Sequence, residues 1–178
     1  MMKYFLSSLS FLFLFIMTPL VHADTKVYFS PNGGCQEAVI SEITQAQKSI
    51  DIAMYSITSR EIAQAIVKAK GRGVKVKIVL DKSQILEHFS KSKYLINKDV
   101  DVKFHLGPGL MHDKFAVIDD HILLTGSFNW TASGEMKNSE NLLVLTDDRL
   151  AQKYTKQFKH LWSQSGQGEF NDKSMQKE

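Results

Sequence analysis

The chain has 178 residues, of which 43% are hydrophobic, 10% aromatic and 23% charged. These proportions are ordinary for a globular protein of about one domain. With three prolines, ten glycines and one cysteine, the composition excludes a collagen-like chain, an intrinsically disordered chain and a disulfide-rich scaffold. The formal net charge of +3 is too small to indicate a partner by itself.

The first 23 residues have the pattern of a secretory signal peptide. Lys3 precedes an apolar run at residues 5–17, and the small Ala23 offers a cleavage site. The run is shorter than the roughly 20 residues that span a bilayer, and three serines interrupt it. We therefore expect cleavage after Ala23, no stable membrane anchor in the mature protein, and a periplasmic or secreted location.

The remaining chain has one cysteine, Cys35, so it cannot form an intrachain disulfide. We expect Cys35 to be a small buried residue of the first helix, with a disulfide between two subunits as the alternative. Since no long Pro-, Gly- or Ser-rich linker divides the chain, we predict one domain over residues 24–165 and a polar tail over 166–178.

Strands and helices alternate in the first half of the chain. A helical spacing of apolar residues follows Gly33 and Gly34, and Thr58–Glu61 has the form of a capping box that begins a second helix. Alternating or continuous apolar runs predict strands at Lys26–Ser30, Ser49–Tyr55 and Val74–Leu80. This β-α-β-α-β order predicts a largely parallel sheet covered by helices.

The second half of the chain predicts shorter connections. A helix is expected over 85–97 and a last helix over 147–163, whose apolar stripe we interpret as core. The expected strands are 102–105, 114–118, 122–125 and 141–145. The predicted fold class is therefore α/β, a mixed, largely parallel sheet with helices on both faces.

The clearest chemical pattern lies between residues 111 and 129. Side chains two positions apart on a strand share a face, so His112 and Lys114 point together, as do Ser127 and Asn129. An imidazole can act as a nucleophile or proton carrier, and an ammonium, a hydroxyl and an amide can hold anionic oxygens. Together these groups suit a phosphodiester, whose negative charge would otherwise repel a nucleophile.

A metal site is the competing interpretation of the histidines and carboxylates in this segment. Lys114 beside His112 would oppose a divalent cation, and Asp113 points to the other face of the strand, so we predict no metal and no cofactor. The basic run at 68–77 could guide a polyanion, but such runs are more often a solvated face.

The spacing of these residues resembles a known motif. The HxKxxxxDxxxxxxGSxN motif of the phospholipase D superfamily is matched at every position by His112, Lys114, Asp119, Gly126, Ser127 and Asn129. The resemblance extends to the segment IDIAMYSITSREIAQAI before the motif and to Asn138-x-Glu140-Asn141 after it. With one motif copy and a small size, the chain is similar to Nuc-type endonucleases and to small single-motif phospholipases D.

The resemblance implies a role for each matching residue. His112 would be the nucleophile that forms a phosphohistidine, and Lys114 and Asn129 would bind the phosphate oxygens. Ser127 would hydrogen-bond within the phosphate pocket. Glu140 would be a buried carboxylate that orients His112 through its second ring nitrogen. Asp119 belongs to the catalytic set of the motif, although its place at a turn favours structural support.

A histidine bonded to phosphorus cannot also protonate the leaving oxygen, so a second acid is needed. No second His-x-Lys pair occurs in the chain. The simplest solution is a homodimer in which two His112 side chains face each other across a twofold axis. This agrees with family members that carry two motifs in one chain. An internal acid such as His105 is the alternative.

We therefore predict an exported, metal-independent phosphodiesterase. Nucleic acid is the first-choice substrate, cut with little sequence preference because phosphate contacts carry no base information. A phospholipase that releases a lipid head group is the second expectation, since the reaction at phosphorus is the same. An inactive nucleic-acid-binding protein is the third, and the complete set of His112, Lys114 and Asn129 argues against it.

Overall fold

The structure, a computed structural model, describes residues 24–168. The predicted signal peptide at 1–23 and residues 169–178 of the predicted tail lie outside the described residues. Residues 24–168 form one eight-stranded sheet with helices packed on it. The strands are β1 (Asp24–Ser30), β2 (Ser49–Met54), β3 (Lys75–Asp81), β4 (Asp101–His105), β5 (Lys114–Ile118), β6 (Ile122–Gly126), β7 (Glu140–Thr146) and β8 (Ser165–Gly166).

The strands are ordered β1-β7-β6-β5-β2-β3-β4-β8 across the sheet. Parallel pairing joins β2 to β3 and β3 to β4, and the other neighbours within the described sheet are antiparallel. The sheet is mixed as predicted, but the expectation that it is largely parallel is wrong. Strand β1 pairs with β7 at an edge instead of with β2. The reason is that strands of a parallel sheet need both faces covered, and most side chains of β1 are exposed.

Helices cover both faces of the sheet, and each face has its own core. The helices are α1 (Cys35–Gln45), α2 (Arg60–Gly71), α3 (Ser92–Ile96), α4 (Ala132–Met136) and α5 (Asp148–Ser163). Because side chains alternate along a strand, Ala116 joins the core beneath α1 and α2, and its neighbour Val117 joins the core beneath α5. The predicted stripe of α5 is confirmed as core, with Ala151, Phe158 and Leu161 buried. None of the helices within residues 24–168 is long and apolar enough to cross a membrane.

Several local predictions differ from the structure. The helix expected over 85–97 is a 3₁₀ turn at Lys82–Ile85, an irregular segment and α3, because the residues between them have no buried face to pack. Helix α2 begins one residue later than expected, since the Ser59 hydroxyl accepts the N–H of Ile62 and caps it. Gly166, expected to begin the tail, pairs with Phe104 as part of β8. The sequence patterns did not predict α4.

Cys35 is the first residue of α1 and is fully buried, as predicted. Burial raises the pKa of the Cys35 thiol to about 11, and the nearby carboxylates of Glu135 and Glu140 act in the same direction. A thiol with so high a pKa is a poor nucleophile at neutral pH. A disulfide between subunits would need this side chain at the surface, so its burial contradicts that alternative.

Candidate active site

The residues of the motif meet at one edge of the sheet, namely the edge formed by the ends of the strands and not by an outer strand. Strands β2 and β3 end at this edge, β5 begins there, and the segment joining β6 to β7 crosses it. These segments surround an open pocket of about 310 Å³. The pocket is lined by His112, Lys114, Gly126, Ser127, Asn129 and Glu140. Five of the six predicted site residues therefore share one pocket, and Asp119 is the exception.

His112 and Lys114 are in direct contact in this pocket. Lys114 Nζ lies 3.1 Å from His112 Nδ1 and donates to the His112 carbonyl oxygen at 2.8 Å. An ammonium has only donors, so Nδ1 must accept, which places the proton of the neutral ring on Nε2. His112 is exposed just before β5, which leaves its ring open to a substrate.

The sequence patterns did not single out Tyr55, which packs against both residues. Its ring centroid lies 4.7 Å from that of His112, and Lys114 Nζ lies 5.3 Å from the Tyr55 ring centroid. The Tyr55 N–H donates to the Asp113 carbonyl oxygen at 3.0 Å, so pairing between β2 and β5 fixes its position. The available signal was its place directly after the apolar run of β2, since β2 ends at the same edge at which β5 begins.

The ammonium of Lys114 has no carboxylate within ion-pair distance in the part of the chain that the structure describes. Partial burial lowers the pKa of Lys114 below the ordinary lysine value, while the more distant carboxylates of Glu140 and Asp113 act in the opposite direction. A partly desolvated positive charge without a carboxylate in contact attracts an anion. The pocket therefore fits a phosphate group.

Gly126 and Ser127 turn the chain sharply at the end of β6. A Cβ on Gly126 would lie 2.1 Å from the Asn141 carbonyl oxygen, and its φ of 156° is one that glycine adopts readily. The Ser127 N–H donates to this oxygen at 3.1 Å, and the Ser127 hydroxyl accepts the Asn141 N–H at 3.1 Å. These contacts hold Ser127 at the pocket wall.

Asn129 lies between two buried aromatic residues, Phe128 and Trp130, each 1% exposed. Trp130 is fixed by a parallel bridge to Ile57, and its carbonyl oxygen accepts the N–H of Ser59 at 3.0 Å. Because neighbours on an extended segment point in opposite directions, burial of both aromatics directs Asn129 toward the pocket. Its Oδ1 atom is buried and has no hydrogen-bond partner among residues 24–168. This oxygen can only accept a hydrogen bond, so it is free for a protonated group of a ligand, and the Nδ2 donors of the same amide are the atoms that can bind phosphate oxygens.

Glu140 begins β7 and lines the pocket, but without the contact that the family resemblance implies. It is half-exposed rather than buried, and its carboxylate accepts a hydrogen bond from Asn138 Nδ2 at 3.1 Å. Among the hydrogen bonds of the described residues, none joins Glu140 to His112, whose Nδ1 faces Lys114 instead. The role of Glu140 in orienting the ring stays a prediction.

Asp119 lies away from the pocket, which contradicts the expectation that it belongs to the catalytic residues. It follows the far end of β5, where its φ of 55° belongs to the turn toward β6. Its carboxylate accepts the N–H groups of Gln47, Lys48 and Ser49 at 2.9, 2.7 and 2.9 Å. Burial acts to raise the pKa of Asp119, but these hydrogen bonds outweigh it and hold the pKa below its ordinary value. Asp119 therefore fastens this turn to the start of β2, a structural role.

His105 is also distant from His112. It ends β4, which is three strands from β5 in the sheet order, a separation of about 14 Å at ordinary strand spacing. A leaving group on phosphorus bound to His112 is out of reach from there. The position of His105 thus gives no support to the internal-acid alternative.

The basic run at 68–77 covers the end of α2 and the start of β3. The start of β3 is the edge of the sheet opposite the pocket, since β3 is parallel to β2. Within the run, Arg72 donates to the carbonyl oxygens of Ile43 and Ala46 at 3.1 and 3.2 Å, at the end of α1. The run therefore does not lead a substrate toward His112.

Known proteins share the sequence pattern and the fold of this chain. The model of the family described as "Cardiolipin synthase, PLD-like domain" matches residues 39–162. The chain belongs to the phospholipase D superfamily. One superfamily relative, the Phospholipase D of Rickettsia conorii, is 35% identical over 138 residues, which cover 78% of this chain and 69% of that protein.

Two further superfamily members extend the comparison. The human mitochondrial cardiolipin hydrolase is 30% identical over 126 residues, covering 71% of this chain and 50% of that protein. The crystal structure of the phospholipase D family member Nuc from Salmonella typhimurium matches with a TM-score of 0.78 and 34% identity, covering 82% of this chain and 97% of Nuc. The predicted α/β fold and phosphodiesterase class are confirmed, and the chain is a phospholipase D superfamily phosphodiesterase.

Proposed function

We propose that this phosphodiesterase cleaves its substrate through a phosphohistidine on His112, without a metal ion. The observation that carries the proposal is the contact between His112 and the ammonium of Lys114 in an open, phosphate-sized pocket. A phosphate oxygen binds an ammonium more strongly than a neutral ring nitrogen does, because that hydrogen bond is assisted by charge on both partners. The donors in the pocket are an ammonium, a hydroxyl and an amide, which suit an anion rather than a cation.

Substrate binding then changes the state of the ring. When a phosphate oxygen draws Lys114 away, His112 Nδ1 is released and takes up a proton from solvent as Nε2 gives one up. The lone pair on Nε2 can then attack phosphorus as the bond from phosphorus to the leaving oxygen breaks, and that oxygen takes a proton from a second acid. Water then hydrolyses the phosphohistidine and releases His112 with the phosphate product. Glu140, which lines the same pocket, accepts the Nδ1 proton in a hydrogen bond, while Asn129 and Ser127 hold the phosphate oxygens.

Nucleic acid is our first choice of substrate, cut with little preference for sequence. The pocket is open at the surface, and its polar groups bind phosphate oxygens, which carry no base information. The similarity to Nuc along almost its whole length supports this choice.

A phospholipid is the second candidate, and one observation favours it. Leu86, Phe89 and Leu110 are 80%, 68% and 61% exposed, and they lie on loops at the same edge of the sheet as His112. The relatives named phospholipase D and cardiolipin hydrolase, at 35% and 30% identity, support it as well.

We propose further that the active unit is a homodimer with the two His112 side chains at its twofold interface. A ring bonded to phosphorus cannot protonate the leaving oxygen, and His105 ends a strand that is three places from β5 in the sheet order. A second copy supplies another exposed imidazole by symmetry. Sedimentation of the active protein should give the mass of a dimer, and an active enzyme that sediments strictly as a monomer contradicts this proposal.

The function is tested by one side-by-side assay on the chain from residue 24 onward. Plasmid DNA, RNA and phosphatidylcholine vesicles are each incubated with the protein in excess chelator, and a quenched sample is analysed for radiolabelled phosphate on His112. We expect nucleic acid to be cut in chelator and the label to be on His112. Cleavage of lipid alone selects the second candidate.

Three other results count against the proposal. Activity that disappears in chelator and returns only with a divalent ion contradicts the metal-independent reaction. Label on a different side chain contradicts the assignment of His112 as nucleophile. Binding of nucleic acid without cleavage of any of the three substrates contradicts the proposal that the chain is active and leaves the binding-protein alternative.

We also propose that the protein is exported and acts in the periplasm or outside the cell. The apolar run at 5–17 and the small residue Ala23 support export. Amino-terminal sequencing of the protein from a periplasmic or secreted fraction should start at Asp24. A cytosolic protein that still carries Lys3 contradicts export.

A further inference from the structure

Two loops beside the pocket expose an unusual amount of apolar surface. Of the eight large hydrophobic side chains that residues 24–168 expose, four lie on these loops. The first loop follows β3, and the second joins β4 to β5. We call these four side chains the apolar loop surface: Leu86 (80% exposed), Phe89 (68%), Leu106 (52%) and Leu110 (61%). Soluble proteins rarely leave such groups together without a partner.

Hydrogen bonds hold the two loops side by side. The Lys82 ammonium on the first loop donates to the Gly107 carbonyl oxygen on the second at 2.8 Å. The carboxylate of Asp81, at the end of β3, accepts the N–H of Met111 at 2.8 Å. Since both loops leave the carboxyl ends of adjacent parallel strands, they project from the edge of the sheet that also carries His112. The apolar loop surface and the pocket therefore face the same side of the molecule.

The bases of the loops are anchored while the apolar tips project. Gln84 is 4% exposed and its carbonyl oxygen accepts the Ser92 hydroxyl at 3.1 Å. The Lys91 N–H donates to the Ile57 carbonyl oxygen at 2.9 Å. Leu86 and Phe89 are thus exposed on a loop that hydrogen bonds fix on both sides of them.

Charge and shape favour a lipid surface as the occupant. The segment 82–93 carries three lysines, at 82, 91 and 93, against the single acid Glu87, a balance that suits anionic head groups. Apolar tips flanked by lysines are typical of segments that enter the boundary between head groups and acyl chains. A bilayer accepts projecting side chains without matching cavities, which a protein partner would have to provide. Single-stranded nucleic acid is bound by stacking on aromatic rings, and this surface offers one ring and three leucines.

We propose that the apolar loop surface docks the protein on an anionic phospholipid bilayer, with the His112 pocket turned toward the head groups. This docking goes beyond the proposed function, because it requires no turnover. It places the pocket within reach of any phosphodiester held at a membrane.

The test compares two aromatic side chains of similar exposure. Phe89 lies on the apolar loop surface, and Phe29 (64% exposed) lies on β1, at the opposite side of the sheet order. The protein used in this test begins at residue 24, because the apolar run at 5–17 would itself bind vesicles. Both cores lie within residues 24–168, so the shortened protein keeps them. Binding is measured by flotation with phosphatidylcholine vesicles, with and without phosphatidylglycerol, in a His112→Ala background so that no lipid is consumed.

We expect the parent to float with vesicles that contain phosphatidylglycerol and to float less with phosphatidylcholine alone. The double variant Leu86→Ser/Phe89→Ser should bind at least about tenfold more weakly, since it removes two buried apolar side chains from the lipid contact. The variant Phe29→Ser should bind like the parent. A Phe89→Trp side chain should shift its emission to the blue and be quenched by brominated acyl chains, and Phe29→Trp should not.

Any of four results overturns the proposal. Two come from flotation: the parent fails to float, or Leu86→Ser/Phe89→Ser floats as well as Phe29→Ser. The double variant sediments at a lower mass than the parent, in which case a second copy covers the surface. The double variant, made with His112 present, loses cleavage of DNA while its vesicle binding is unchanged, in which case the surface serves nucleic acid. Folding of the double variant is checked by its thermal midpoint, which requires no turnover, so failure of the proposed function leaves the flotation results unaffected.

Discussion

Strand β5 carries motif residues at both ends, and the two ends are built differently. At the first end, Lys114 and the preceding His112 contact each other in an open pocket. At the other end, Asp119 accepts three backbone N–H groups of the segment 47–49. The first end keeps its charge available to a ligand, and the second uses its charge to fix a turn.

The difference shows that a match to a motif does not by itself assign a residue to the chemistry. Lys114 and Asp119 are equally good matches to the same pattern, but only Lys114 lines the pocket. The partners of each charge distinguish them: Asp119 is satisfied by the backbone, and Lys114 retains capacity for an anion. Changes at the first end should therefore act on turnover, and changes at the second on stability.

The largest effect on turnover is expected for His112→Ala. Removal of the attacking nitrogen should lower kcat by about 10⁴-fold or more, as loss of a nucleophile does elsewhere. The measurement is the rate on a soluble phosphodiester, with the thermal midpoint as control. A variant that keeps more than a tenth of the parent rate rules out His112 as the nucleophile.

Lys114→Ala should lower kcat/KM by about 10² to 10³-fold, because one preorganised donor to the phosphate oxygens is lost. The rate of the parent should fall on the alkaline side below pH 10.4, the ordinary lysine value, since burial lowers the pKa of Lys114 and the protonated form is the active one. In Lys114→Arg this alkaline limb should move upward, because a guanidinium does not titrate there. An unchanged limb would show that another group controls it.

Asp119→Ala should destabilise the fold by about 2 to 3 kcal/mol, through loss of hydrogen bonds to a charged acceptor. Asp119→Asn should cost less, since asparagine keeps one acceptor and tolerates the positive φ of this turn. Because the pKa of Asp119 is held low in the folded state, its contribution is present above about pH 4 and is lost as the pH falls through the folded value. Denaturant titrations at pH 7 and pH 3 measure the free energy of unfolding with and without this contribution. A loss of kcat in folded Asp119→Asn would show that Asp119 takes part in catalysis.

The smallest effect is expected at Asp51, on β2 opposite Lys77. Burial raises the pKa of Asp51 to about 6, with Asp120 acting in the same direction and Lys77 and Lys159 opposing it. Since the folded pKa is above the unfolded value of about 4, the parent loses stability as the pH rises between them. Asp51→Asn should therefore be about 1 kcal/mol more stable than the parent at pH 8, a figure reduced for the half-exposed side chain. The two proteins should unfold alike at pH 4, and a stabilisation that persists there would have another cause.

The local elements of the sheet were predictable from sequence because their patterns are local. Strand β5 has the predicted bounds, and the N-cap Asp147 places α5 as its apolar stripe requires. The pairing of β1 with β7 was not predictable, since it joins residues more than a hundred positions apart and has no signature within either strand. Helix α4 was missed because it has five residues, fewer than two helical turns.

The sequence predicted which residues lie in the site better than it predicted the contacts between them. The spacing of His112, Lys114 and Asn129 brought them to one pocket because period-two alternation and one hairpin control their positions. Tyr55, whose ring packs against His112, directly follows β2 and precedes His112 by 57 residues, so it lies outside the motif. The partner of His112 Nδ1 also depends on side-chain rotation, which spacing does not specify.

The pairing of the first described strand with the last long one has a consequence for biogenesis. Residues 24–30 form their strand pairing with residues 140–146, a contact of very long range, which slows folding. During synthesis, β1 stays unpaired until residues 140–146 have emerged. The pocket is also incomplete until then, because Glu140, which lines it, belongs to β7. A truncated or still-emerging chain therefore has no assembled site with which to cut anything.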